Sequence, residues 1–208
     1  MTELARGHTG WRLLRLSALE LLRDPLGLLL LLLIPAIFIG MILWTASEDV
    51  LPLNLYFGAE TVALIVTQRH LGLVFVSAAV SGFLAAYCAL VLFHKDLGYF
   101  RYCVFMGLSP AAFTAARFAA FVGVTTLLAA AMTLALSRAT SLEQPLGVFA
   151  GFLLITVIYG AYGGIVGVLA RSFMPALLLI VLLAQLDAGW LQNPVYYSAA
   201  QDSRVIRW

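Results

Sequence analysis

LGLLLLLLIPAIFIGMILW, residues 26–44, decides the fold: nineteen residues in succession carry no charge. A helix rises about 1.5 Å per residue, so roughly 18–20 apolar residues cross the hydrocarbon core of a bilayer. Working outward, Leu71–Phe93, Phe118–Leu136 and Pro145–Ala170 reach the same length. Ser172–Leu186 is shorter and is a candidate span only. The expected fold class is therefore all-α: a polytopic transmembrane helical bundle of five spans, forming one domain over residues 1–208.

Composition agrees. Hydrophobic residues make up 63% of the chain and charged residues 11%, against roughly 25% charged in soluble domains. No polar stretch is long enough for a soluble domain. A net charge of +2 is too small to argue for nucleic acid. Cys88 falls within the second span and Cys103 in the loop after it, a placement from which neither a disulfide nor a metal site follows.

The charges set an orientation. Arg6, Arg12, Arg15 and Arg23 precede the first span, and Lys95, Arg101 and Arg117 follow the second. The intervening loop carries Glu48, Asp49 and Glu60 with Arg69 as its one basic residue, and the loop after span three has only Arg138. The positive-inside rule then puts the N-terminus in the cytoplasm. The long charged lead and the long apolar run also argue against a cleavable signal. Five crossings leave Asp187–Trp208 outside.

Two segments outside the spans are informative. Trp11–Arg23 reads as an interfacial helix, with Trp11, Leu14, Ala18, Leu21 and Leu22 on one side and Arg12, Arg15, Glu20 and Arg23 on the other. A frayed basic leader that merely sets topology is the alternative. Asp24-Pro25 ends that helix and starts the next. The second segment is the loop 94–117, HKDLGYFRYCVFMGLSPAAFTAAR. Here Gly98 is expected to end the preceding helix, Tyr99–Met106 to form about two turns, and Ser109 or Thr114 to cap the next helix. Its aromatic residues either bury against a partner or lie in the headgroup layer.

In order and spacing, these features resemble the type-2 ABC exporter permeases. The features are the interfacial helix, a first span containing Pro35, an acidic outer loop, Lys95-Asp96-Leu97-Gly98, a short aromatic helix, Gly107-Leu108-Ser109-Pro110 and Arg117. The resemblance covers about Trp11–Leu186. It implies that residues 11–23 are the elbow helix and that 94–117 holds the coupling helix. It further implies that Tyr99, Phe100, Arg101, Tyr102, Phe105 and Met106 contact a separate ATP-binding cassette ATPase subunit. Asp96 stands where the family has Glu, and Arg117 matches its basic residue at the start of span three. A homodimer or a pairing with a sister permease is implied too. The family has six spans, and Asp187–Trp208 looks like the outer loop before the last.

Within the membrane, Gly160, Gly163, Gly164 and Gly167 provide four-residue spacings that allow close helix approach, for packing or as a hinge. Tyr87, Thr125, Thr126, Thr133, Tyr159, Tyr162 and Gln185 are the polar groups at depth. No acidic or basic residue lies near the centre of the first four spans, which argues against an ion-coupled transporter. No catalytic constellation, cofactor motif or metal pattern is legible. His70 and His94 fall at opposite faces, and no Walker A sequence occurs. The expectation is a non-enzymatic permease subunit in a bacterial cytoplasmic membrane, surrounded by lipids, exporting an amphipathic drug, natural product or lipid-like molecule. A non-transporting scaffold or truncated permease is the alternative from another class, and a secondary transporter the third. The Ala- and Leu-rich composition with a single lysine fits a GC-rich bacterial genome.

Overall fold

The computed structural model describes residues 3–57, 60–94, 104–105, 107 and 109–186. Six helices and one hairpin follow in chain order: α1 (Glu3–Leu22), α2 (Pro25–Thr45), β1 (Val50–Phe57), β2 (Glu60–Thr67), α3 (Gln68–Phe93), α4 (Pro110–Ala139), α5 (Pro145–Leu169) and α6 (Phe173–Leu186). Each of the five expected apolar stretches is helical over nearly all of its length. Four helices, α2 to α5, are long and apolar enough to cross a membrane. The described part of helix α6 has 14 residues, about 21 Å at 1.5 Å per residue against a core of about 30 Å. Among the described residues, length and composition thus support four of the five expected spans.

Proline starts three of the four long helices, at Pro25, Pro110 and Pro145. Its missing N–H costs nothing in the first turn, where that donor has no helical acceptor. The fourth, α3, is capped by Thr67, whose hydroxyl accepts from the His70 amide at 3.3 Å. One boundary differs from expectation: helix α3 stops at Phe93, with His94 as C-cap, before Gly98 is reached. Helix α4 begins at Pro110, directly after Ser109, one of the two expected cap positions, and so starts eight residues ahead of the apolar span at Phe118. Ser109 is its N-cap position without a side-chain cap, and Thr114 lies inside the helix, bonded back to the Pro110 carbonyl.

The hairpin was not anticipated. Its strands pair antiparallel from Val50 opposite Thr67 to Phe57 opposite Glu60. The signal was present in two eight-residue runs, the second rich in Thr, Val and Ile, on either side of Gly58-Ala59. Polar contacts close its base: Arg69 pairs with Glu48 at 3.1 Å, Ser47 bonds Asp49 at 2.8 Å, and the Gln68 amide donates to the Asp49 carbonyl at 2.9 Å.

Helix α3 is the centre of the bundle and packs on α2, α4, α5 and α6. One core joins Leu73, Val80 and Leu84 to Leu128, Met132, Leu136 and Phe152. A second joins Ala86 and Leu90 to Val166, Ala176 and Ile180. A third, at the end of the bundle that carries α1, joins Ala89 and Leu92 to Ala120 and Phe121, with Leu14 and Leu21 of α1 against it.

Candidate functional site at the α1 end of the bundle

Helix α1 lies against the starts of α2 and α4 and the end of α3. Leu13 and Ser17 form its buried stripe, flanked by Leu14 and Leu21. The expected apolar face was wrong by about a quarter turn. Trp11 (66% exposed), Leu22 and Leu16 point away from the protein together with Arg12 and Arg15, and Arg23 is exposed as well. The physical reason is that two apolar surfaces compete for one helix. Small and straight-chain residues (Leu13, Ser17, Leu21) fit the groove between α3 and α4. Trp11 and the arginines have the amphipathic character of headgroup-layer residues.

Arg117 holds this corner together. Its side chain is buried at 6% exposure. Nη1 donates to the Leu92 carbonyl, Nη2 lies 3.7 Å from Glu20 Oε2, and the guanidinium sits 4.5 Å from the centre of the Phe113 ring. Leu92 belongs to the last turn of α3, whose carbonyls have no helical donor and carry the negative end of the helix dipole. One cation thus satisfies the end of α3, neutralises a carboxylate of α1 and is carried by α4. Glu20, expected to face water, is mostly covered.

A second polar link lies one layer away. Tyr87 Oη donates to Asp24 Oδ2 at 2.6 Å, 63 positions apart in sequence. Asp24 occupies the N-cap position of α2 but makes no capping bond; its carboxylate turns to Tyr87 instead. Gly27 permits this, because a Cβ there would lie 2.8 Å from Asp24 Oδ2 and 3.1 Å from Tyr87 Cε1. Beside it His94 Nδ1 is 3.0 Å from the Gly167 carbonyl, and Phe173 stands edge-on to Tyr87 and tilted against His94. A cleft of about 640 Å³ opens between these groups, lined by Glu20, Arg23 and Asp24 on the polar side and Pro25, Val91 and Phe173 on the apolar side, with His94.

The glycines of α5 do different jobs. A Cβ on Gly163 would lie 2.6 Å from Ala86 Cα, so here two backbones touch. Gly160 faces the Phe121 ring, Gly167 the His94 amide at 3.2 Å, and Gly164 the Phe93 ring at an ordinary 3.4 Å. Gly82 of α3 completes the contact by receiving the Tyr159 ring at 3.0 Å. The threonines at depth are satisfied within their own helices: Thr125, Thr126 and Thr133 each bond a carbonyl one turn back.

Of the aromatic and basic residues proposed to meet an ATPase, Tyr99, Phe100, Arg101, Tyr102 and Met106 lie outside the described residues, as do Lys95–Gly98, Cys103 and Asp187–Trp208. Phe105 is described. It is helical, 87% exposed, and followed by Gly107 at φ +88°, where a left-handed turn bonds the Gly107 amide to the Val104 carbonyl at 2.9 Å. His70 and His94 sit at opposite ends of α3, as expected. Asp24 was read only as a helix boundary and His94 only as the start of the loop, too far from His70 to share a site, and nothing local in the sequence pairs them with Tyr87 and Gly167. Among the described residues no three His, Cys, Asp or Glu side chains group as metal ligands. No family model, curated protein or solved structure matches this chain. Four apolar helices long enough to span a bilayer mark it as a membrane protein.

Proposed function

We propose that the chain is the membrane-spanning subunit of an ATP-driven exporter of the type-2 ABC class. It sits in a bacterial cytoplasmic membrane with its N-terminus inside, and it works as a pair with itself or a sister permease. A separate ATPase subunit drives it, and it moves an amphipathic or lipid-like substrate outward. One observation carries this reading: the segment joining α3 to α4 presents Phe105 to the outside, while Arg117 locks the bases of those two helices to each other and to α1. A push on that segment moves α1, α3 and α4 as one block, which is what energy coupling from outside the membrane requires. Basic residues gather at the same end, with Arg12, Arg15, Arg23 and Arg171 there and Glu48 and Asp49 at the hairpin end, supporting a cytoplasmic placement.

The test is co-purification. The tagged chain, extracted mildly from its native membrane, is expected to bring down an ATPase with a Walker A sequence, and Phe105→Ala or Arg101→Glu to lower that yield about tenfold, since burying a large aromatic contributes about 1.5–3 kcal/mol. An ATPase yield indifferent to both changes would favour the headgroup reading of these aromatics. Orientation is tested separately in a Cys88→Ala, Cys103→Ala background. A cysteine placed at Glu48 is expected to label with an impermeant maleimide in intact cells, and one at Tyr99 only after permeabilisation.

A further inference from the structure

We propose that the cleft between α1, α2, α3 and α6 is a binding site for the phosphoethanolamine headgroup of a membrane phospholipid. Its volume, about 640 Å³, falls in the range of small-molecule sites, and it opens beside α1, whose outward side carries Trp11, Arg12 and Arg15. Its charges are paired to suit a zwitterion. Glu20 is held by Arg117, and the other charges on the described wall of the cleft are Arg23 and Asp24, adjacent in sequence and opposite in sign.

Each half of the headgroup has a matching surface. Arg23 stands next to the first turn of α2, whose backbone N–H groups receive no side-chain cap, and a cation beside a helix start favours phosphate. For the amine, Asp24 uses Oδ2 to accept from Tyr87 and retains Oδ1 as a further acceptor. His94 adds a second. A carbonyl only accepts, so the contact with Gly167 places a ring proton on Nδ1, and in the neutral imidazole Nε2 is then the acceptor. Carboxylate and imidazole acceptors suit an ammonium with N–H donors. Trimethylammonium instead favours an aromatic cage, and Phe173 is the single aromatic carbocycle on the described wall. Val91, Pro25 and Phe173 provide the apolar side along which acyl chains run. Glycine at position 27 leaves the Asp24 carboxylate in place, because any side chain there would meet it. This inference is independent of the exporter reading and requires only that α1 lie at a membrane face.

The experiment is competitive lipid retention, read by native mass spectrometry of the full-length, delipidated protein. The probes are phosphatidylethanolamine, its mono- and dimethyl forms, phosphatidylcholine and phosphatidylglycerol with identical acyl chains. Ethanolamine lipid is expected to be retained about tenfold over choline lipid, the scale of one charge-assisted hydrogen-bond set, and retention should fall stepwise with each methyl. Asp24→Asn, whose amide oxygen still accepts from Tyr87, should bring the ratio to about twofold or less. Arg23→Gln should weaken ethanolamine and choline lipids together. Equal retention of ethanolamine and choline lipids, a preference for phosphatidylglycerol, or a ratio unmoved by Asp24→Asn would each overturn the proposal. Soluble phosphoethanolamine that displaces the lipid at equal concentration would overturn the lipid as its source. The methylation series needs no variant, so a misfolded Asp24→Asn protein leaves the question decidable.

Discussion

Helices α2 and α3 are both apolar enough to cross a membrane, yet the more hydrophobic of the two is the less buried. Helix α2, more than half Leu and Ile, has no buried residue. Helix α3, which includes Ser77, Ser81, Gly82, Tyr87 and a run of alanines, buries fourteen. In water the reverse would hold. Lipid tails solvate Leu as well as a protein core does, so hydrophobicity decides which segments enter the bilayer and cannot decide which touch each other. Small residues decide that. They let the α3 and α5 backbones meet at Ala86 and Gly163, where dispersion between close-packed atoms replaces the hydrophobic effect.

The hardest way to break this contrast is at Gly163. Alanine there is expected to destabilise by about 3 kcal/mol, the upper end for overpacking, because the obstructing atoms are backbone and cannot rotate away. Gly40→Ala on α2 has nothing within 4 Å and is expected to be silent or slightly stabilising. Thermal unfolding of the two variants in the same detergent provides the comparison; equal midpoints would refute the packing asymmetry. Next is Arg117→Met. It leaves Glu20 facing a buried gap and the end of α3 without its donor, and is expected to cost about 2–3 kcal/mol. Limited proteolysis should show α1 released first, since Arg117 is its ionic tether.

The sequence was sufficient for four of these helices because their signal is a sum over about twenty residues, which no single contact can reverse. It also marked Gly160, Gly163 and Gly167 as a close-approach surface, though not that Gly164 would be the least constrained of the set. Contacts between distant positions were not legible. Asp24 before Pro25 reads as a helix boundary and nothing more. That its carboxylate meets Tyr87 depends on the α2–α3 connection bringing residues 63 apart to one level. The α1 face was misread for a related reason. Amphipathicity measures a helix against a flat water–lipid boundary, whereas α1 also packs in a groove between α3 and α4, and the groove selected Leu13 and Ser17. In the hairpin, Glu48, Asp49 and Glu60 have the character of a loop, while the alternation of Leu51, Leu53 and Leu55 with Pro52 and Asn54 that marks a strand lies between them.

Tyr87→Phe sharpens the contrast, since its hydroxyl is the polar tie from α3 to the start of α2. Packing against Phe173 is retained in the variant, so the loss is one hydrogen bond to a carboxylate, expected at about 1.5 kcal/mol. Asp24→Ala in the same background should add little, because both changes remove that one bond. Coupling near zero in that double-mutant cycle would show that Asp24 and Tyr87 act separately.

The smallest effect is expected on α2 itself. Leu32 is 71% exposed within the protein, so Leu32→Ala exchanges one lipid-facing apolar side chain for a smaller one. Its cost to the monomer is expected within about 0.5 kcal/mol, the range of surface substitutions. The corresponding truncation at Leu84 of α3, buried in the core with Met132 and Phe152, should cost about 2–5 kcal/mol. The ratio of the two is the comparison in numerical form. If Leu32→Ala instead costs more than about 1 kcal/mol, with a dependence on protein concentration, its face is covered by a second protein surface and α2 is bare only in the single chain.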